Sequence, residues 1–213
     1  MRAFRRQKGQ YVARLDAGER AVVASVVADV AELLGAGRLE DRPQPSASTA
    51  GEPGAPGGWT VRTAPLPPPQ DPAVRRLLPD ASRDDPEVAD EFRRLTEDDL
   101  RARKVARLRA LWTSLMDGEP GWPEHALVVS PQAADDVAAT LTDLRLVLGE
   151  RLNLRTDADS EALYDGLTGE DEDDVRAYLA SVYGALSWLQ ESLLAVMLAA
   201  PERPGGGRGR SGG

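Results

Sequence analysis

The sequence predicts a mainly α fold: a four- or five-helix bundle with a small N-terminal β-hairpin. Three observations predict it. Apolar residues recur at 3–4 spacing in five separate stretches, which is the period of an amphipathic helix. Asp71-Pro72, Asp85-Pro86 and Ser130-Pro131 each place a capping side chain before a proline, the usual opening of a helix. The 20 glycines and 16 prolines gather mainly in 35–70 and 201–213. What is left, about 165 residues, suffices for one core.

Phe4 to Leu15 reads as the hairpin. Gln7-Lys8-Gly9-Gln10 supplies the turn, with Gly9 free to take a positive φ. Tyr11, Ala13 and Leu15 alternate onto one face, with Val12 and Arg14 on the other. Asp16 and Glu19 stand at capping-box spacing. Val22, Val23, Val26, Val27, Val30, Leu33 and Leu34 then mark a helix over 17–34, stopped by Gly35 and Gly37. These elements form an N-terminal part, 1–37. Residues 38–70 read as a disordered Pro/Gly/Ser-rich linker, too poor in apolar side chains to offset ordering. Within it Trp59 and Val61 are candidates to dock as a short extended piece, the alternative being an unanchored linker throughout.

The helical core of the same domain is placed at 71–200. Asp71 to Pro79 reads as a short helix with Val74, Leu77 and Leu78 inward and Arg75 and Arg76 outward. Val88, Phe92, Leu95, Val105, Leu108, Trp112 and Leu115 mark the next apolar stripe. A second cap signature at Thr96 predicts a break near Leu95, giving 86–95 and 97–116. Ala126–Val129 reads as a short extended piece. A helix is predicted over 131–152, an acidic loop over 153–174, and a last helix over 173–199. That last helix is apolar nearly all round and is expected at the bundle centre. Residues 201–213 read as a disordered tail.

Composition narrows function before any motif does. There are 26 basic and 35 acidic residues, a net charge of −9, no cysteine and one histidine. Thiol catalysis, disulfide scaffolds, thiolate metal sites and multi-histidine metal sites are excluded. No stretch is apolar and long enough to span a bilayer. The N-terminus MRAFRRQKGQ lacks the apolar run of a secretory signal, so a cytoplasmic protein is expected. The first fifteen residues hold five basic and no acidic residues. The overall charge nevertheless opposes a polyanion, so direct DNA binding is not expected. No phosphate-cradling glycine loop, catalytic triad or calcium loop can be assembled. No catalytic, cofactor-binding or metal residue is therefore assigned.

The candidate residues are polar or aromatic groups in apolar surroundings: Asp143 and Arg145 in the predicted helix 131–152, and Trp188, Gln190 and Glu191 in the last. With the outward pair Arg75 and Arg76 they are candidates for partner docking or for fixing helix register. Arg145 borders the core, and Glu191 is expected either to pair with an arginine such as Arg145 inside the bundle or to belong to an exposed docking patch around Trp188.

DPAVRRLLPDASRDD (71–85), EFRRLTEDDLRARK (91–104), TDLRLVLGERL (142–152) and SWLQESLLAVML (187–198) stand in order behind the hairpin and first helix. Together they resemble an actinobacterial family catalogued as a domain of unknown function that includes the oxidation-sensing transcriptional regulator AosR. The resemblance covers 1–35 and 71–199. It implies a non-catalytic cytoplasmic regulator, without cofactor, that contacts an RNA polymerase sigma factor to regulate stress or cysteine-biosynthesis genes. The alternative it implies is an adaptor or scaffold associated with the Clp protease system. The regulator is understood to sense oxidation through a Cys-x-x-x-Cys pair. With no cysteine, this sequence can carry that sensor on no residue. Met116 and Met197 are oxidisable but are predicted inside apolar stripes.

Overall fold

The computed structural model describes residues 1–41, 68–82, 84–156, 158–159 and 174–199. The assignments made for the remainder of 42–67, for most of the acidic loop and for the tail lie outside the described residues, as do Trp59 and Val61.

Strand β1 (Arg2–Gln7) and strand β2 (Gln10–Arg14) form the hairpin. Its two turn residues are both left-handed, Lys8 at φ 48° and Gly9 at φ 79°, which matches the twist of the strands they join. The hairpin is not the whole sheet. Strand β3 (Ala126–Val129) pairs antiparallel with β2, so the order is β1-β2-β3. The Leu15 amide extends this ladder to the His125 carbonyl at 2.9 Å. Tyr11, Ala13 and Leu15 are buried as the alternation requires, together with Leu127 and Val129. Val12 is buried as well, and only Arg14 of the opposite set is exposed.

Helix α1 (Ala17–Leu33) opens on a complete capping box: the Glu19 amide donates to Asp16 and the Asp16 amide donates to Glu19, both at 2.8 Å. Gly35, at φ 82°, ends it. Leu39, placed in the linker by composition, is instead 4% exposed and part of the core. Helix α2 (Pro72–Leu77) buries Val74 and Leu77 and exposes Arg75 and Arg76.

Helix α3 (Pro86–Asp117) is continuous through the predicted break. The Thr96 hydroxyl donates to the Phe92 carbonyl at 2.8 Å and so is spent inside the helix rather than capping a new one. Glu97 likewise closes on Arg101 at 2.6 Å. Only the C-terminal half follows the predicted stripe inward, through Leu108, Leu111 and Leu115. Val88, Phe92, Leu95 and Met116 are exposed.

Helix α4 (Ala134–Arg151) begins later than Pro131, because Ser130 to Ala133 forms a turn in which the Ser130 hydroxyl accepts from the Ala133 amide at 3.2 Å. Helix α5 (Asp174–Leu198) buries Leu186, Leu189 and Leu193 completely. It lies along α4 and β1 rather than at the centre. It therefore leaves Val175, Tyr178, Trp188, Leu194 and Leu198 exposed.

The core joins the sheet to α1, α2, α4, α5 and the C-terminal half of α3. Helices α1 and α3 run antiparallel and cap one another with arginine. Arg20 of α1 donates to the Leu115 carbonyl at the end of α3, its Nε at 2.9 Å. Arg101 of α3 donates to the Leu34 carbonyl at the end of α1 at 3.1 Å. Each cation satisfies carbonyls that the helix leaves without partners.

Candidate functional site

Two buried polar clusters and one apolar groove carry the candidate residues. In the first cluster Asp143, 4% exposed, faces α3. It accepts from Lys104 Nζ at 2.6 Å and from Arg107 at 3.4 Å. A carboxylate removed from water is stable only with such partners. The second cluster ties α4 to α5. Arg145 donates to Gln190 Oε1 at 2.7 Å and to the Tyr183 hydroxyl at 3.4 Å, and its guanidinium lies 5.3 Å from the Tyr183 ring centre. Gln190 Nε2 donates in turn to the Thr142 hydroxyl at 2.6 Å and the Ala138 carbonyl at 3.1 Å. The partner of Arg145 is thus the amide of Gln190. Glu191, one residue on, is exposed and forms no ion pair among the described residues.

Arg75 stands apart from these clusters, and Arg76 lies beside the second. Arg75 donates to the Gln70 carbonyl at 3.1 Å. Arg76 meets Glu150 at 3.0 Å, and Arg155 meets the same carboxylate at 2.9 Å through each of two nitrogens. Burial pushes the Glu150 carboxyl up, but hydrogen bonds from Arg76 and Arg155 outweigh it and leave the group below its ordinary value. Arg76, Arg145 and Arg155 border one pocket of about 230 Å³, in which Glu150 is the single carboxylate among the lining residues.

Trp188 belongs to a different place. It is 42% exposed and walls a groove of about 520 Å³ between α1 and α5. Val22 and Val23 form the α1 side; Tyr178, Val182 and Ala185 complete the α5 side; Glu19 and Ser181 supply polar groups. The wall from Tyr178 to Trp188 follows three turns of α5, about 15 Å. The groove exists because α5 turns its leucine seam toward α4 and β1 and leaves its aromatic side beside α1.

Among the described residues no group of three or more His, Cys, Asp or Glu side chains is placed to hold a metal ion. No helix of the described residues is long and apolar enough to cross a membrane.

A family model described as Domain of unknown function (DUF2017) matches residues 1–197. The chain belongs to this family. No curated protein and no solved structure matches it. The match takes in the sheet, the five described helices and the groove of this DUF2017 chain, so the α1–α5 surface is part of the family domain.

Sequence reasoning picked out Asp143, Arg145 and Gln190 because each interrupts an apolar helix. It missed Lys104 and Thr142, which complete their clusters. Lys104 carried a usable signal as one of only two lysines in the chain, four residues before Leu108 on the inward face. The α1 wall of the groove had none, since Val22 and Val23 sit in an ordinary apolar stripe.

Proposed function

We propose that this DUF2017 chain is a non-catalytic regulatory protein that works by binding another protein in the α1–α5 groove. The observation that carries the reading is the half-exposed Trp188 in an apolar trough about three turns long. Such a trough suits the apolar face of one partner helix, with Trp188 as the anchor. The buried carboxylate and amide support the non-catalytic part, because they are spent on neighbouring side chains, Asp143 on Lys104, and Gln190 on Arg145 and Thr142, although Nε of Arg107 and of Arg145 is buried without a hydrogen-bond partner among the described residues.

The resemblance to the family of AosR supplies the partner in this proposal: a sigma factor of RNA polymerase, contacted in the cytoplasm to regulate stress or cysteine-biosynthesis genes. Signalling in this chain proceeds without its own thiol chemistry. The test is affinity capture from native cells under basal and oxidising conditions, with wild type beside Trp188→Glu. Capture of a sigma factor or RNA polymerase by wild type and its loss from the variant support the reading. Capture of a Clp component in their place moves the assignment to an adaptor of that protease. Capture that Trp188→Glu leaves unchanged overturns the groove as the docking surface.

A further inference from the structure

The outer face of α3 has a pattern that the groove does not use. From Val88 to Thr113 the positions opposite the core are all exposed: Val88, Phe92, Leu95, Asp99, Ala102, Ala106, Ala110 and Thr113. They repeat at 4-3-4-3-4-4-3 spacing and keep one side of the helix for about 38 Å. The face is divided. Its N-terminal half carries the large apolar residues Val88, Phe92 and Leu95, which are 51%, 46% and 59% exposed. Its C-terminal half carries alanines. Charge divides the same way, with Asp99 on the N-terminal side of residue 101 and Arg103 and Arg109 on the C-terminal side; Glu91 already pairs with Arg94.

A second copy laid antiparallel solves both mismatches at once. About a two-fold axis beside residue 101, residue i meets the residue for which the two numbers sum to about 202. Leu95 then faces Ala106, Phe92 faces Ala110, Val88 faces Thr113, and Asp99 faces Arg103. Large side chains fall on small ones and Asp99 on Arg103 in each half, as an isologous interface demands. Ala106 and Ala110 also form one wall of a groove of about 460 Å³ whose far side is Trp122 and Val129. It gives Phe92 of the second copy room to enter. Asp99 has no ion-pair partner among the described residues, and Arg103 makes only a 3.4 Å contact from Nε to the Asp99 carbonyl. Their charges are available to another chain.

We propose that the outer face of α3 is a homodimer interface in which two copies of this chain pair their α3 helices antiparallel about residue 101. The interface is a single helix pair, so it forms at micromolar concentration.

The full chain is tested by sedimentation equilibrium from about 1 to about 500 μM. A concentration-dependent dimer is expected. Asp99→Arg alone and Arg103→Asp alone should each weaken it at least tenfold, and Leu95→Glu should leave a monomer with an unchanged melting temperature. An equimolar mixture of Asp99→Arg and Arg103→Asp proteins should dimerise again, because the exchanged charges meet across the axis. The absence of cysteine allows a second readout. Oxidised Ala102→Cys should cross-link to a covalent dimer, since residue 102 lies beside the axis, while Thr113→Cys should not. A wild type that stays monomeric over the whole range overturns the proposal. So does a dimer indifferent to the charge reversals, or a mixture that fails to re-associate.

Discussion

Helix α3 uses apolar residues of similar spacing in opposite ways along its length. In the C-terminal half Leu108, Leu111 and Leu115 are at most 2% exposed and join the core. In the N-terminal half the inward positions are Ala89, Arg93 and Glu97, and the large apolar side chains face outward. The cause is reach. The helix has 32 residues, about 48 Å, and α1 has 17, about 25 Å. The mutual arginine caps fix α1 against the stretch from Arg101 to Leu115. The first fifteen residues of α3 therefore run past the end of α1. Among the described residues the inner side there meets the short turn after α2, Leu78 to Asp80, where Arg93 pairs with Asp80 and, on its own helix, with Asp90 at 2.7 Å. What decides burial along one helix is the length of its neighbour, and the apolar period alone does not report that.

Substitutions that probe the contrast fall in order of expected size. Asp143→Ala leaves Lys104 buried without its carboxylate and should cost about 3–5 kcal/mol. Asp143→Leu combined with Lys104→Met should recover most of that in chemical denaturation, since no charge is then stranded. Leu108→Ala in the core half of α3, and Leu189→Ala in the α5 seam, should each cost about 2–5 kcal/mol through lost transfer energy and a residual cavity. Leu95→Ala in the outer half should change unfolding free energy by no more than about 0.5 kcal/mol. Equal losses at Leu108 and Leu95 would mean that the two halves do not differ.

Adjacent polar residues on α5 provide a finer test. Gln190→Ala takes from Arg145 its 2.7 Å acceptor and should cost about 1–3 kcal/mol. Glu191→Ala should leave the melting temperature where it was, because Glu191 is exposed. The smallest effect is at the start of α2. The hydrogen bond from Arg151, at 2.6 Å, holds the Asp71 carboxyl below its ordinary range. The stabilisation is therefore fully present above the unfolded value of about 3.9 and is lost as pH falls through the lower folded value. Both side chains are partly exposed, so Arg151→Ala should remove no more than about 1 kcal/mol at pH 7. In acid titrations of stability, the difference between variant and wild type should shrink below about pH 4.

The candidate site was legible in part. A polar residue inside an apolar helix is visible in any sequence, and that signal located Asp143, Arg145 and Gln190. Which partner each takes is a matter of two helices at once. Gln190 and Glu191 are neighbours in the chain but point about 100° apart on the helix. Only the way α5 is rotated against α4 sends the amide inward to Arg145 and the carboxylate out to water. Trp188 was visible as an aromatic in a leucine-rich run, but its groove depends on Val22 and Val23 of α1 standing opposite.

What the sequence determined by itself is short-range. Asp16, Asp71 and Asp85 each start a helix, because a capping carboxylate needs only the amides two or three residues ahead. Lys8-Gly9 closes the hairpin for a similarly local reason, and the 3–4 spacing sets where α4 and α5 run. What the tertiary structure decided is long-range. It brought β3 to β2 from beyond the end of α3, kept α3 whole through Thr96, and chose which side of each helix is covered. A hydrogen bond between near neighbours is specified by the residues that make it, whereas burial is specified by whatever distant surface arrives to cover them.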